Sequence, residues 1–320
     1  MKGFLVVDKP PGVTSHDVVG ILRAVTGVKK VGHTGTLDPF ATGVLAVAFG
    51  GATRAIQFLD ESLKVYDATI ALGERRDTGD PTGDVIETAA VPTLTRDAVV
   101  DVLQGFVGEL MQTPPPYSAV KYKGKPLYWY ARRGESPEVP ARRITVFGLE
   151  LLELGEASIR VLIRCSRGSY ARVLAEDIAR ALGTVGHLVA LARHRSGPFA
   201  MERAISAQQL GELVSADAGR SYQDVLFYRG PREGRVAWKP RDTVVAALAS
   251  RLVSLEDALS HLPSVRADER QWRAVKDGRA PTVYPSGVRL GQRWCLLGGD
   301  DSMAIVRHEA NGPVLERLLV

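Results

Sequence analysis

Cysteine is nearly missing from this chain of 320 residues: Cys165 and Cys295 are its two, far apart, and neither has a second cysteine nearby. A disulfide framework and a structural zinc site are therefore not expected, because both need thiols paired at short spacing. Long apolar runs are missing too. The run Phe4 to Val7 breaks at once at Asp8-Lys9-Pro10-Pro11, too short for a signal peptide, and no later run approaches membrane-spanning length. A cytoplasmic chain without a membrane partner is expected. No Gly-x4-Gly-Lys-Ser/Thr phosphate loop occurs, so nucleotide hydrolysis has no support. Internal repeats and low-complexity tracts are also lacking.

What is present is the composition of a folded domain, with 45% hydrophobic and 24% charged residues, and enough length for one large domain plus a smaller one. The net charge of +5 is compatible with an anionic partner, and its distribution says more. Seven cations, Lys121, Lys123, Lys125, Arg132, Arg133, Arg142 and Arg143, face two acids, Glu135 and Glu138, in one segment that also holds Tyr122, Tyr128, Trp129 and Tyr130. Cations that neutralise phosphates, interleaved with rings that stack on bases, suit a nucleic-acid surface. A solvated basic loop has the same composition.

Periodicity predicts a strand over Gly3 to Asp8, then a helix capped by Ser15 with Val18, Ile21, Leu22 and Val25 on one face, ending at Gly27. Lys64 to Gly73 alternates as a half-buried strand, with Tyr66, Ala68, Ile70 and Leu72 together on one side. A helix from Thr95, strands over Thr145 to Leu154 and Ser158 to Cys165, and a helix from about Tyr170 to Leu182 follow. Consecutive strands among helices favour an α+β fold with a mixed, largely antiparallel sheet over a doubly wound parallel one. Ser215 to Ser250 lacks sustained periodicity and reads as an insertion or linker. Beyond it, a helix near Asp268 to Lys276 and short apolar runs at Trp294 to Leu297 and Met303 to Val306 suggest a small β-rich module. The resulting division is a catalytic domain over 1–214, a linker over 215–262 and the module over 263–320.

The chemistry concentrates in Gly32-His33-Thr34-Gly35-Thr36-Leu37-Asp38-Pro39-Phe40-Ala41-Thr42-Gly43. Glycines let this backbone approach a ligand closely, and Pro39 biases Asp38 toward an extended conformation, so the loop presents a carboxylate. Three further segments accompany it in order: Asp8-Lys9-Pro10-Pro11-Gly12-Val13-Thr14-Ser15, Tyr66 through Gly73-Glu74-Arg75-Arg76-Asp77-Thr78-Gly79-Asp80 to Gly83, and Cys165-Ser166-Arg167-Gly168-Ser169-Tyr170-Ala171-Arg172. Asp77, Asp80 and Asp84 lack the alternating ligand positions of a calcium loop, and this stretch reads as a solvated turn. As an ordered set the four segments resemble the TruB family of tRNA pseudouridine synthases, through roughly the first two thirds of the chain.

The resemblance implies isomerisation of uridine-55 in the T loop of tRNA: the base is flipped out, cut from its sugar, turned and rejoined through carbon-5. No cofactor or metal is implied. Asp38 matches the catalytic carboxylate, either attacking the nucleoside or abstracting a sugar proton. A carboxylate in a water-poor pocket needs a fixed cation to stay ionised, and Arg172 matches the family's arginine for that pairing. Tyr66 matches the active-site tyrosine, Tyr170 and Leu191 the lining of the uridine pocket, and His33 the residue that fills the gap left by the base. Lys9, with Pro10, is counted on the substrate side as a brace of the active-site loops. The basic segment over 121–143 matches an RNA-clamping insertion, and the C-terminal module resembles a PUA RNA-binding domain. A monomer acting on the T arm without a guide RNA is expected. The alternatives are a guide-RNA-dependent synthase and a non-catalytic protein that binds tRNA and helps it fold.

Overall fold

The computed structural model describes residues 1–60, 62–215, 242–299 and 301–320. They form two compact units, one of Met1–Pro39, Gly43–Asp60 and Gly197–Val320, the other of Phe40–Thr42 and Glu61–Ser196.

The first unit begins with β1 (Gly3–Lys9), helix α1 (Ser15–Thr26), β2 (Val31–His33) and β3 (Thr42–Phe49). β1 and β3 pair antiparallel, with Phe4 opposite Ala48 and Asp8 opposite Val44, and β2 also pairs with β3. Both long strands are buried at almost every position, which is why they read as continuous apolar runs rather than alternating ones. Thr14, not Ser15, caps α1. Its hydroxyl accepts from the Asp17 N–H while the Asp17 carboxylate accepts from the Thr14 N–H, a reciprocal capping box, and Gly27 at φ 70° closes the helix. The cap lies one residue earlier than expected, and Ser15 uses its hydroxyl on a different partner, described below.

The second unit contains β4 (Lys64–Leu72), β5 (Glu74–Arg76), β6 (Val85–Thr88), α2 (Arg96–Gln104), β7 (Gly108–Gln112), β8 (Lys121–Tyr122), β9 (Lys125–Pro126), α3 (Leu127–Ala131), β10 (Arg142–Leu154), β11 (Ser158–Cys165), α4 (Ala171–Ala181) and β12 (Gly186–Ser196). Its main sheet runs β12-β4-β11-β10-β7, antiparallel throughout. Tyr66, Ala68, Ile70 and Leu72 are buried on one face of β4, as the alternation requires. Amphipathic α4 buries Leu174, Ala175, Ile178 and Ala179. The periodicity reading assigned no strand to β12 or β7. In β12 the pairing with β4 slips between Leu188 and Ala190 and again between Arg193 and Arg195, and each irregularity breaks the alternation that marks a strand.

The chain then returns to the first unit through β13 (Phe199–Ala200), β14 (Ile205–Ser206, parallel to β1), α5 (Ala207–Ser215), α6 (Asp242–Ala249), α7 (Leu255–Ala258), β15 (Ser264–Arg266), α8 (Glu269–Lys276), β16 (Arg293–Leu297), β17 (Met303–Glu309) and β18 (Gly312–Leu319). Of the stretch read as a linker, 216–241 lies outside the described residues and α6 forms its described end. The β-rich C-terminal module is present as the four-stranded sheet β15-β16-β17-β18. Phe4, Val6, Ala46, Phe199, Cys295, Ile305 and Leu319 share one apolar core, so this sheet and β1 are stabilised by the same burial.

Candidate active site

Each unit carries its own share of the residues singled out above. In the first, the Asp38 loop links β2 to β3 and is pinned at three points. The fully buried Lys9 sends its ammonium to the carbonyls of Pro10 at 2.8 Å, Val13 at 2.9 Å and Pro39 at 3.2 Å. Gly12 N–H donates to the Pro39 carbonyl at 2.8 Å, and Gly12 at φ 81° is a turn that favours glycine. Ser15 supplies the third point: Leu37 N–H donates to its Oγ at 2.9 Å, and its hydroxyl lies 3.2 Å from the Leu37 carbonyl. Leu37 is buried and Asp38 beside it is half-buried, so the loop is anchored through its apolar residue and offers its carboxylate. His33 ends β2 opposite Val47. Lys9 has no exposed surface of its own and acts through the loop it holds.

In the second unit, Tyr66 on β4 stands opposite Ile163 of β11 and Arg193 of β12, and Leu191 of β12 stands opposite Ala68. Tyr66 and Leu191 are each 7% exposed. Tyr170 precedes α4 in extended backbone, and Arg172 lies in the first turn. Arg172 is 4% exposed, and its guanidinium donates to the Thr78 and Tyr117 carbonyls, each at 2.7 Å. This is a fixed cation whose position two other segments determine, the turn at Thr78 to Asp80 and the chain at Tyr117.

The turn at Thr78 to Asp80 corrects the solvated-turn reading. Asp80 is buried, its Oδ1 accepts from the Thr78 hydroxyl at 2.9 Å and the Thr82 N–H at 3.0 Å, and its Oδ2 lies 4.0 Å from Arg172 Nη1. Gly79 packs so closely on α4 that a Cβ there would come within 2.8 Å of Glu176 Oε1 and 3.3 Å of Arg172 Cβ. The turn is a bracket for the arginine. A cluster of aspartates and glycines signals solvent by composition alone, and only the paired hydroxyls of Thr78 and Thr82 hinted otherwise.

The loop from Cys165 to Tyr170 is held at both ends. Ser166 exchanges bonds with Thr145, its Oγ accepting from the Thr145 N–H at 2.9 Å and its own N–H donating to the Thr145 carbonyl at 2.8 Å. Gln112, absent from the sequence-based set, binds the backbone of Tyr170. Burial pushes the Cys165 thiol up to about 11, so it stays protonated at neutral pH and is packing rather than a nucleophile.

The seven cations of the basic segment are all exposed. Lys123 and Gly124, at φ 44° and 83°, turn the hairpin β8-β9, and α3 follows it. Tyr122 and Trp129 both pack edge-on against Tyr130, and Arg133 lies 3.6 Å from the centre of the Trp129 ring. Lys123, Lys125 and Arg132 lie over Tyr122, Trp129 and Tyr128 at 5.3 to 5.8 Å. Cation–π contact thus orders the long side chains while their charges remain in water. Arg142 and Arg143 belong to β10 instead, where Arg143 bonds Glu109 at 3.3 Å.

The fold is a largely antiparallel sheet with a C-terminal β-rich module. A chain of a solved Cbf5-Nop10-Gar1 complex superposes with a TM-score of 0.67, covering 99% of this chain and 85% of that one at 24% identity, a likeness of fold. The sequence pattern of the TruB family pseudouridylate synthase N-terminal domain matches residues 23–171, and that of the tRNA pseudouridylate synthase B C-terminal domain matches 172–260. The protein named tRNA pseudouridine synthase B of Geobacter sulfurreducens is 42% identical over 300 residues, 91% of this chain and 89% of the relative. Its namesake in Chromohalobacter salexigens is 38% identical over 320 residues, 100% of this chain and 94% of the relative. The chain belongs to the TruB family.

Proposed function

We propose that this protein isomerises uridine-55 of the tRNA T loop to pseudouridine, with Asp38 as the reacting carboxylate. The observation that carries the reading is the Asp38 loop itself, in a chain of this family: one carboxylate offered on a loop that Lys9, Gly12 and Ser15 hold in place. A preorganised carboxylate spends no reorganisation energy when the nucleoside arrives. In the proposed reaction the N-glycosidic bond breaks, the base turns, a carbon-carbon bond forms between the sugar and carbon-5, and the carbon-5 proton leaves while the freed ring nitrogen is protonated. The reaction is an isomerisation and needs no cofactor.

Roles for the remaining residues follow from the family resemblance. Arg172 is the buried cation that keeps a carboxylate ionised. The Tyr66 ring stacks on the flipped base and its phenol assists loss of the carbon-5 proton, with Tyr170 and Leu191 completing the pocket. His33 fills the gap left in the RNA, which lowers the cost of extruding the base. The basic hairpin and α3 close over the T arm, and the C-terminal module is a PUA-like contact for the acceptor end. Domain limits of 1–214, 215–262 and 263–320, a monomeric state and a cytoplasmic setting complete the proposal. Among the described residues no helix is long and apolar enough to cross a membrane.

The test is tritium release from an unmodified tRNA transcript labelled at uridine carbon-5, with wild type and Asp38→Asn compared. Release by the wild type alone, with both proteins binding tRNA, is the expected result. No release from folded tRNA without added guide would overturn the proposal in favour of a guide-dependent enzyme or a tRNA-binding protein.

A further inference from the structure

Gln112 ends β7 and is 6% exposed. Its carboxamide meets the main chain of Tyr170 twice: Nε2 donates to the Tyr170 carbonyl at 3.1 Å, and Oε1 accepts from the Tyr170 N–H at 2.7 Å. One orientation of the amide satisfies both bonds, so the donor and acceptor ends are fixed by their partners. Among the described residues no side chain caps α4 at Tyr170, and the same carbonyl accepts from Leu174 N–H at 3.1 Å. The carboxamide thus does for this residue what a neighbouring strand would do, at the point where the loop becomes a helix.

The position matters because of what lies on either side. The Tyr170 ring direction is set by this backbone, and Arg172 is two residues further on. Five residues after Gln112, the Tyr117 carbonyl accepts from Arg172 Nη2 at 2.7 Å. The segment Gln112-Thr113-Pro114-Pro115-Pro116-Tyr117 is therefore tied at both ends to the start of α4, and its three prolines leave little slack between the ties. We infer that Gln112 is a positioning residue for the pseudouridylation reaction, acting through Tyr170 by holding both polar groups of its backbone. The inference rests on the pocket role proposed for Tyr170.

Gln112→Met keeps the length and removes both bonds, and Gln112→Glu keeps the acceptor and loses the donor. Each is compared with Tyr170→Ala and with the Gln112→Met/Tyr170→Ala double variant for tritium release, filter binding of the tRNA transcript and thermal unfolding. Expected is a kcat loss of about tenfold or more in Gln112→Met, since small misplacements of a positioned group are costly, with the dissociation constant for tRNA nearly unchanged. In the Tyr170→Ala background the substitution costs little more, because the two residues act as a unit. Unchanged kcat, a loss confined to KM or tRNA binding, or losses that multiply in the double variant would each overturn the inference and leave Gln112 a brace for stability. If Gln112→Met does not unfold cooperatively, Gln112→Glu carries the comparison by the same criteria. A wild type that releases no tritium would instead sink the parent reading.

Discussion

The ammonium of Lys9 lies 3.2 Å from the carbonyl oxygen of Pro39, the residue after Asp38, and both of its other described bonds go to backbone of the Pro10 to Val13 turn. A buried cation without surface is thereby a fastener between two loops. Lys9→Met leaves three carbonyls without this donor, and a loss of about 2–4 kcal/mol in urea-unfolding stability is expected from the orphaned groups. Activity should fall further than stability explains, which tritium release at a temperature where the variant is fully folded will check.

Ser15 and Thr14 separate a helix cap from a loop anchor. Thr14→Ala removes the cap of α1 and should cost about 1 kcal/mol, with the rate of modification unchanged. Ser15→Ala removes both contacts to Leu37 and should cost a similar amount, but lower kcat, because the Asp38 loop loses a tether. Parallel unfolding curves and single-turnover rates distinguish the two.

Asp80 and Arg172 are both buried at a separation of 4.0 Å. Asp80→Ala removes the carboxylate beside Arg172 and its bonds to Thr78 and Thr82, and should destabilise by about 1–3 kcal/mol. Asp80→Asn retains an oxygen that can accept from Thr82 and should cost less. Both should reduce catalysis, measurable as the difference between single-turnover rate and tRNA affinity.

How much of this was legible beforehand depends on how far each residue's role is local. The alternation of β4 and the amphipathic face of α4 repeat within one element, so residue type alone located Tyr66 and Arg172 on their elements. The Asp38 loop was legible for the same reason, because glycine and proline punctuate it. Gln112 and Asp80 were not, since their partners lie 58 positions away at Tyr170 and far away at Arg172, beyond any local pattern. The Ser15 error has the same origin: both Thr14 and Ser15 are good caps by type, and a bond to Leu37, 22 positions on, decided between them.

Asp67 accepts two bonds from Arg160, at 2.9 and 2.6 Å, and this hydrogen-bonded cation holds its carboxyl below the ordinary 3.8. A depressed folded-state value gives a contribution that is full above 3.8 and lost as pH falls through the lower folded value. Asp67→Asn should therefore be less stable than wild type at neutral pH, with the gap closing in acid. Arg160 is exposed, so the gap is small, and urea midpoints at stepped pH will measure it.

The exposed cations of the hairpin and α3 predict a salt signature. Replacing Lys125 or Arg133 by Ala should weaken tRNA binding at every salt concentration and lower the slope of log affinity against log salt by about one per lost phosphate contact. Arg133→Ala should cost more than charge alone predicts, because Trp129 loses the cation packed on its face.

The two thiols fall one in each compact unit, Cys165 in the second and Cys295 in the first. Burial pushes them up to about 11 and about 12, so neither offers a thiolate to an alkylating reagent while its surroundings stay closed. The folded chain is in consequence indifferent to oxidants that inactivate proteins through exposed cysteine. Each thiol is also a private clock for its own half of the molecule: the order in which the two become labelled under mild denaturant reports which unit opens first.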